Sequence, residues 1–148
     1  MDKKNYILLV EDNPDDEALT LRALRKNDIQ HDVIVARDGL EALEILQGNH
    51  ETVGSEFAPL PVLILLDLKL PKLDGLGVLQ RIRADQRTAL QPVVILTTST
   101  EENDLIRGYS LGVNSYLRKP VDFDQFVDLI GELGLYWLAL NVAPPQRH

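Results

Sequence analysis

An aspartate stands where packing gives it no purpose. Residues 62–66 read Val-Leu-Ile-Leu-Leu, and Asp67 follows at once. Such an apolar run reads as a strand buried on both faces, as in a parallel sheet covered by helices. A carboxylate at its end must meet a cation, a proton or hydrogen-bond donors, because burial penalises its charge. In open α/β sheets, ligands gather just beyond the carboxyl ends of the strands. Other strand-like runs end in a similar way: residues 6–10 in Glu11 and Asp12, residues 92–96 in Thr97, and residues 113–118 in Lys119. In a parallel sheet these ends share one edge. Crowded carboxylates there call for a proton or a hard cation. Mg²⁺ suits the set, because it takes a few carboxylates, keeps several waters and leaves room for a phosphoryl oxygen. A lysine and a threonine hydroxyl beside it can bind the other oxygens of that group. Taken singly, Asp67 could be a strand-end cap, Lys119 a surface lysine and Thr97 a β-branched strand residue. Their joint appearance at the ends of different strands points to a site.

The elements between these ends alternate. After the first strand, Asn13-Pro14 offers an N-cap and a proline at the first helical position. Asp15, Asp16 and Glu17 fill that helix's first turn, where they complement its dipole. Leu19, Leu21, Ala23 and Leu24 supply its apolar positions, to about Asn27. A second strand covers residues 31–36, broken by Asp38-Gly39, and a helix follows with Leu40, Ala42, Leu43, Ile45 and Leu46. Residues 48–61 make a long connection, read either as a continuation of that helix or as a surface loop that meets a partner. Turn chemistry at residues 71–75 leads into a helix carrying Leu76, Val78, Leu79 and Ile82. After the fourth strand, Ser99 and Glu102 stand at capping-box spacing for a helix that stops at Gly112. Asp122 caps the last helix, whose apolar set is Phe123, Phe126, Val127, Ile130, Leu133, Trp137 and Leu140. Strand and helix thus alternate along the whole chain, which argues for a doubly wound, mainly parallel sheet. Residues 143–148 read as a loose tail.

Composition narrows the function. The chain has 148 residues, enough for one domain with a proper core. Its net charge is −8, from 23 acidic and 15 basic residues, which opposes non-specific nucleic-acid binding. Cysteine is absent, and His31, His50 and His148 lie too far apart for zinc spacing. The N-terminus has no signal-like apolar segment and no run is long enough to span a membrane, so a soluble cytoplasmic protein with no membrane partner is expected.

Taken together, residues 8–13 (Leu-Leu-Val-Glu-Asp-Asn), 65–71 (Leu-Leu-Asp-Leu-Lys-Leu-Pro) with Asp74-Gly75, 96–98 (Leu-Thr-Thr) and 116–120 (Tyr-Leu-Arg-Lys-Pro) resemble the receiver domain of two-component response regulators. The resemblance covers about residues 5–137 and treats residues 1–148 as a single domain, with 138–148 an extension. It implies a flavodoxin-like sheet in the order 2-1-3-4-5 with helices on both faces. It implies that Asp67 accepts a phosphoryl group from a sensor histidine kinase or a phosphotransfer protein. Glu11, Asp12, Asp67 and the backbone carbonyl of Lys69 would hold Mg²⁺. Lys119 would pair with the phosphoryl group, with a cis peptide bond to Pro120. Thr97 would swing to a phosphoryl oxygen, and Tyr116 would move inward with it. Lys69 and Thr98 occupy positions that tune the lifetime of the acyl phosphate. The molecule is then a phosphoacceptor with slow self-dephosphorylation rather than an ordinary enzyme, read out on the face of the fourth helix, fifth strand and fifth helix.

The chain has no basic helix of the kind a DNA-binding output domain needs, so a stand-alone receiver without a nucleic-acid partner is expected. Leu129, Leu133, Leu135, Tyr136, Trp137, Leu138 and Leu140 lie on more than one side of the last helix. Either the helix end folds back on its own core or, as we favour, it forms a homodimer surface. The long loop, the Glu-Asp-Asn-Pro start, the Leu-Thr-Thr-Ser strand end and the Trp-bearing tail together resemble small receivers that serve bacterial phytochrome kinases. Three rivals fit less well. A haloacid-dehalogenase-type phosphatase needs a second acid two residues after the nucleophile, where Lys69 stands. A flavin carrier needs a Ser/Thr/Gly-rich phosphate loop, and Asn13-Pro14-Asp15-Asp16 would repel the phosphate. A receiver-like binding module that is never phosphorylated has no use for the acidic set with Thr97 and Lys119.

Overall fold

The computed structural model describes residues 3–48 and 53–145. Five parallel strands form the sheet: β1 (Tyr6–Val10), β2 (Asp32–Ala36), β3 (Leu63–Leu66), β4 (Val93–Thr97) and β5 (Ser115–Arg118), in the order β2-β1-β3-β4-β5. Among the described residues five α-helices connect and cover them: α1 (Pro14–Lys26), α2 (Gly39–Leu46), α3 (Gly75–Ala84), α4 (Glu102–Ser110) and α5 (Phe123–Gly134). The three inner strands β1, β3 and β4 are buried along their whole length, which is why they read as continuous apolar runs rather than alternating ones. β1 pairs Ile7 with Leu63 and Val10 with Leu66, so both strands end level.

The sheet separates two cores. One face buries Tyr6, Leu8, Ile64, Leu66 and Ile95 against Ala42, Ile45, Val78, Leu79 and Ile82 of α2 and α3. The other buries Ile7, Leu9, Leu65, Val94 and Leu96 against Ala23 and Leu24 of α1 and Phe126, Ile130 and Leu133 of α5. Asn27 ties α1 to α5, donating from Nδ2 to the carbonyls of Ala23 and Val127 at 2.9 Å each.

The helix starts follow the local chemistry. Asn13 Oδ1 accepts from the amides of Asp15 and Asp16, Asp74 Oδ1 from Gly77, and Asp122 Oδ1 from Gln125. α4 departs from expectation. The Ser99/Glu102 capping box does not form, because the helix begins at Glu102 with Glu101 at the cap position and no side-chain cap bond. Ser99 instead accepts from Glu101 N at 3.2 Å and donates to Asp104 Oδ2 at 2.7 Å.

α2 ends at Leu46, where Gln47 takes the cap position and Gly48 adopts φ 83°, so the helix does not run on into the long connection. That connection packs back: Val53, Ala58 and Leu60 are buried, Lys4 bridges to Phe57, and Phe57 stands edge-on to Tyr6 at 5.9 Å. Residues 49–52 of the connection, with His50, lie outside the described residues, as do residues 146–148 of the expected tail. At the other end α5 passes into a π-helical turn, Leu135–Leu140, closed by Asn141 N donating to Tyr136 O at 2.6 Å. The wider turn splits the apolar set. Trp137 and Leu138 pack on the second core, while Leu135, Tyr136 and Leu140 stay exposed, so Leu140 is not the core residue its spacing suggested. Among the described residues no helix is long and apolar enough to cross a membrane.

Candidate functional site

Ladder hydrogen bonds carry the strand ends one residue further and so fix the chemistry-bearing backbone. Glu11 N donates to Ala36 O at 2.9 Å, Asp67 N to Val10 O at 3.1 Å and Lys119 N to Thr97 O at 2.8 Å. Each side chain therefore leaves from a backbone as rigid as the sheet. Glu11, Asp12 and Asp67 converge at this edge, with a carboxylate oxygen from each lying within 4.8 Å of the others.

Lys119 sits among these acids. Its Nζ lies 2.6 Å from Glu11 Oε1, 3.7 Å from Asp16 Oδ2 and 3.9 Å from Asp67 Oδ2. The Glu11 side chain is only 2% exposed and that of Lys119 9%. Burial pushes the Glu11 carboxyl up to about 7, against the pull of the Lys119 ammonium and the Asn13 amide, and the Asp67 charge adds to the rise. Burial also acts to lower the Lys119 pKa, but Glu11, Asp67 and Asp16 outweigh it, and the ammonium is held above its ordinary value. Asp67 Oδ1 accepts from Leu68 N at 2.8 Å, which orients its carboxylate and leaves Oδ2 on the Lys119 side.

The donor set fits a hard divalent cation: three carboxylates, with no soft or nitrogen ligand in the cluster. The cluster carries more negative charge than one lysine balances, and Glu11 is too buried to rely on water alone.

Thr97, 1% exposed, ends β4, and its Oγ1 accepts from Ser99 N at 3.1 Å. Tyr116, on β5, keeps its hydroxyl buried without a hydrogen-bond partner, and burial raises its pKa. The hydroxyl expected to move inward is thus already covered. Lys69 lies in the loop after β3 with its side chain exposed. The Lys119–Pro120 bond is trans, as is every peptide bond among the described residues, so the cis bond implied by the resemblance is absent. The tertiary amide before proline allows either isomer and on its own favours trans, so the Lys-Pro pair dictates no cis form.

Asp16 is the site residue that sequence reasoning missed, having been assigned to helix-dipole balance alone. Its place two residues beyond Pro14, in the first turn of the helix that leaves the strand end, was the available signal. Leu19 was expected in the core, yet it is 40% exposed and lines a cavity of about 230 Å³ with Asp16, Thr98, Lys119 and Phe123.

Comparison with known proteins agrees with this geometry. Residues 7–131 match the response regulator receiver domain. The chain is 44% identical over 138 residues to the probable methanogenesis regulatory protein FilR2 of Methanothrix harundinacea, covering 93% of this chain and 86% of that protein. It is 41% identical over 138 residues to the response regulator Rcp1 of Synechocystis, covering 93% and 92%. The crystal structure of Mn²⁺-bound Rcp1 superposes with a TM-score of 0.83 at 40% identity, over 95% of this chain and 99% of that one. That of the phosphorylated cyanobacterial phytochrome response regulator RcpA gives 0.86 at 37% identity, over 96% and 99%. With the strand order, the acidic edge and the family match in agreement, the chain belongs to the response regulator receiver family.

Proposed function

We propose that this chain accepts a phosphoryl group on Asp67 from a phosphohistidine of a sensor kinase or phosphotransfer protein, and changes its protein contacts in response. The observation that carries this reading is the convergence of Glu11, Asp12 and Asp67 around Lys119 at one sheet edge. An Asp67 carboxylate oxygen attacks phosphorus, the P–N bond to the donor imidazole breaks, and the imidazole leaves with the electron pair and takes up a proton. Glu11, Asp12, Asp67 and the Lys69 carbonyl would hold Mg²⁺, which when bound shields the negative charge of the incoming group. Lys119 pairs with one phosphoryl oxygen, and the Thr97 hydroxyl turns to donate to another. The added charge, about −1.5 to −2, is large enough to reorder a neighbouring hydroxyl and loop.

RcpA is a phytochrome response regulator, and the likeness over nearly all of both chains supports a phytochrome kinase as the donor here. The described chain acts as one receiver unit in this reading. Its output face is α4, β5 and α5 with the π-helical turn that follows, where Ile106 and Tyr109 of α4 and Leu135, Tyr136 and Leu140 of the turn are exposed and available to a second copy. Sedimentation of the free and phosphorylated protein tests the homodimer, and a monomer in both removes it.

The phosphoryl reading is tested by incubation with acetyl phosphate and Mg²⁺. The expected result is a mass gain of one phosphoryl group, acid-stable and base-labile, that is lost in Asp67→Asn. No gain in the native chain overturns the reading and favours an unphosphorylated binding module.

A further inference from the structure

Among the described α-helices, α4 has the fewest buried residues. Gly108 is the only buried residue among its nine, and no side chain caps its start. What fixes the first turn is the hydrogen bond from Ser99 Oγ to Asp104 Oδ2, at 2.7 Å. Ser99 is 6% exposed, so this charge-assisted bond is shielded from water. The same Ser99 is joined through its amide to Thr97 Oγ1. A continuous path therefore runs from the strand-end threonine, through Ser99, to the helix.

We propose that the Ser99–Asp104 hydrogen bond is a latch that holds the first turn of α4 until Thr97 turns to the phosphoryl group, which makes Asp104 the positioning residue through which Asp67 governs this helix. The inference rests on the phosphoacceptor reading and deepens it by naming the contact that carries the signal outward.

The chemistry of the path explains why the latch opens. When the Thr97 hydroxyl turns away, the buried Ser99 amide loses its acceptor, and an unpaired buried N–H is costly. The residue 98–101 loop relieves that cost by moving, and Ser99 Oγ leaves Asp104 with it. A second group favours the same outcome. The Tyr116 hydroxyl is buried without a partner, with Ser99 nearby but outside hydrogen-bond geometry. A freed Ser99 hydroxyl can satisfy it. Space for the Tyr116 ring comes from Gly108, where a Cβ would lie 3.3 Å from the ring and 3.2 Å from Ile95. With the latch open, the helix that moves is the one presenting Ile106 and Tyr109, each 54% exposed.

Hydrogen exchange of the amides of residues 102–110, read by mass spectrometry with and without acetyl phosphate and Mg²⁺, tests the latch. In the native chain phosphorylation should speed this exchange about fivefold or more. Asp104→Ala should show that faster exchange before phosphorylation and little further rise after it. Asp104→Asn, which keeps an oxygen acceptor for Ser99, should restore most of the native protection. Ile106→Gly serves as a control that loosens the helix through its backbone without touching the path, and it should keep the phosphorylation-dependent rise. Native-like protection in Asp104→Ala, or an equal rise on phosphorylation in that variant and the native chain, overturns the latch. Phosphoryl uptake is read from the intact mass in the same samples. No uptake by the native chain overturns the phosphoacceptor reading and the relay with it, while fast basal exchange in Asp104→Ala alone still identifies the helix anchor.

Discussion

Lys119 Nζ binds Glu11 Oε1 at 2.6 Å while standing 3.9 Å from Asp67 Oδ2. The lysine is thus committed to the most buried acid of the site and merely near Asp67, the proposed phosphoacceptor. A buried carboxylate needs that cation, so the two roles of Lys119 are separable.

Lys119→Ala should cost about 3 kcal/mol of stability at about pH 8, where Glu11 is left charged and buried without its partner. The loss should shrink toward about pH 6, because without Lys119 the Glu11 carboxyl rises still further and takes a proton. Urea denaturation of both proteins at the two pH values checks this. Acetyl phosphate should still label the variant, but its output face should no longer respond.

Mg²⁺ binding should depend on pH through Glu11. Burial holds this carboxyl near 7, well above an ordinary glutamate, so near neutrality a cation must displace a proton. Apparent affinity should therefore rise from about pH 6 to about pH 8 and flatten above that. Glu11→Gln should lose affinity by about tenfold or more and most of the pH dependence. Isothermal titration at three pH values reads both effects.

Gly75→Ala should damage the site from outside it. A Cβ at this position would lie 2.2 Å from Asp67 O and 2.7 Å from Leu68 Cα, and both are backbone atoms that cannot swing aside. Gly75 N also donates to Leu68 O at 2.8 Å, which binds the start of α3 to the residue after Asp67. The expected cost is about 2–3 kcal/mol, with slower phosphoryl uptake than in the native chain. A thermal melt and the rate of mass gain measure the two.

Asp38→Ala should remove about 1 kcal/mol by uncapping α2, since Asp38 Oδ1 accepts from Glu41 N at 2.8 Å. That hydrogen bond, with help from Lys72, lowers the Asp38 pKa. A depressed carboxyl contributes stability above its unfolded value of about 3.9 and loses it as pH falls through the folded one. The gap between native and variant in urea should accordingly be present at about pH 7 and close in strong acid.

The sheet and most of the site were legible because burial on both faces writes itself as unbroken apolar runs. Residues 62–66 and 92–96 announced β3 and β4, and the polar residue ending each run stood where the ladder carries it. Helix caps at Asn13 and Asp122 were equally local. Part of what escaped depends on distance in the chain, and part on local geometry that the residue pattern does not encode. That Lys119 prefers Glu11, 108 residues away, follows from burial and not from spacing. Ser99 had a capping-box partner at Glu102 by pattern, yet α4 starts with Glu101 at the cap position and Ser99 donates its hydroxyl to Asp104 instead. The π-helical turn after Gly134 left no trace in an apolar pattern that suits either helix geometry.

That wide turn equips the molecule with its own optical reporter. Trp137 is the sole tryptophan, tucked on the second core and edge-on to Tyr136 at 5.0 Å. Its emission wavelength tracks the polarity around the C-terminal segment alone, so a fluorimeter follows docking or release of this segment without any attached dye.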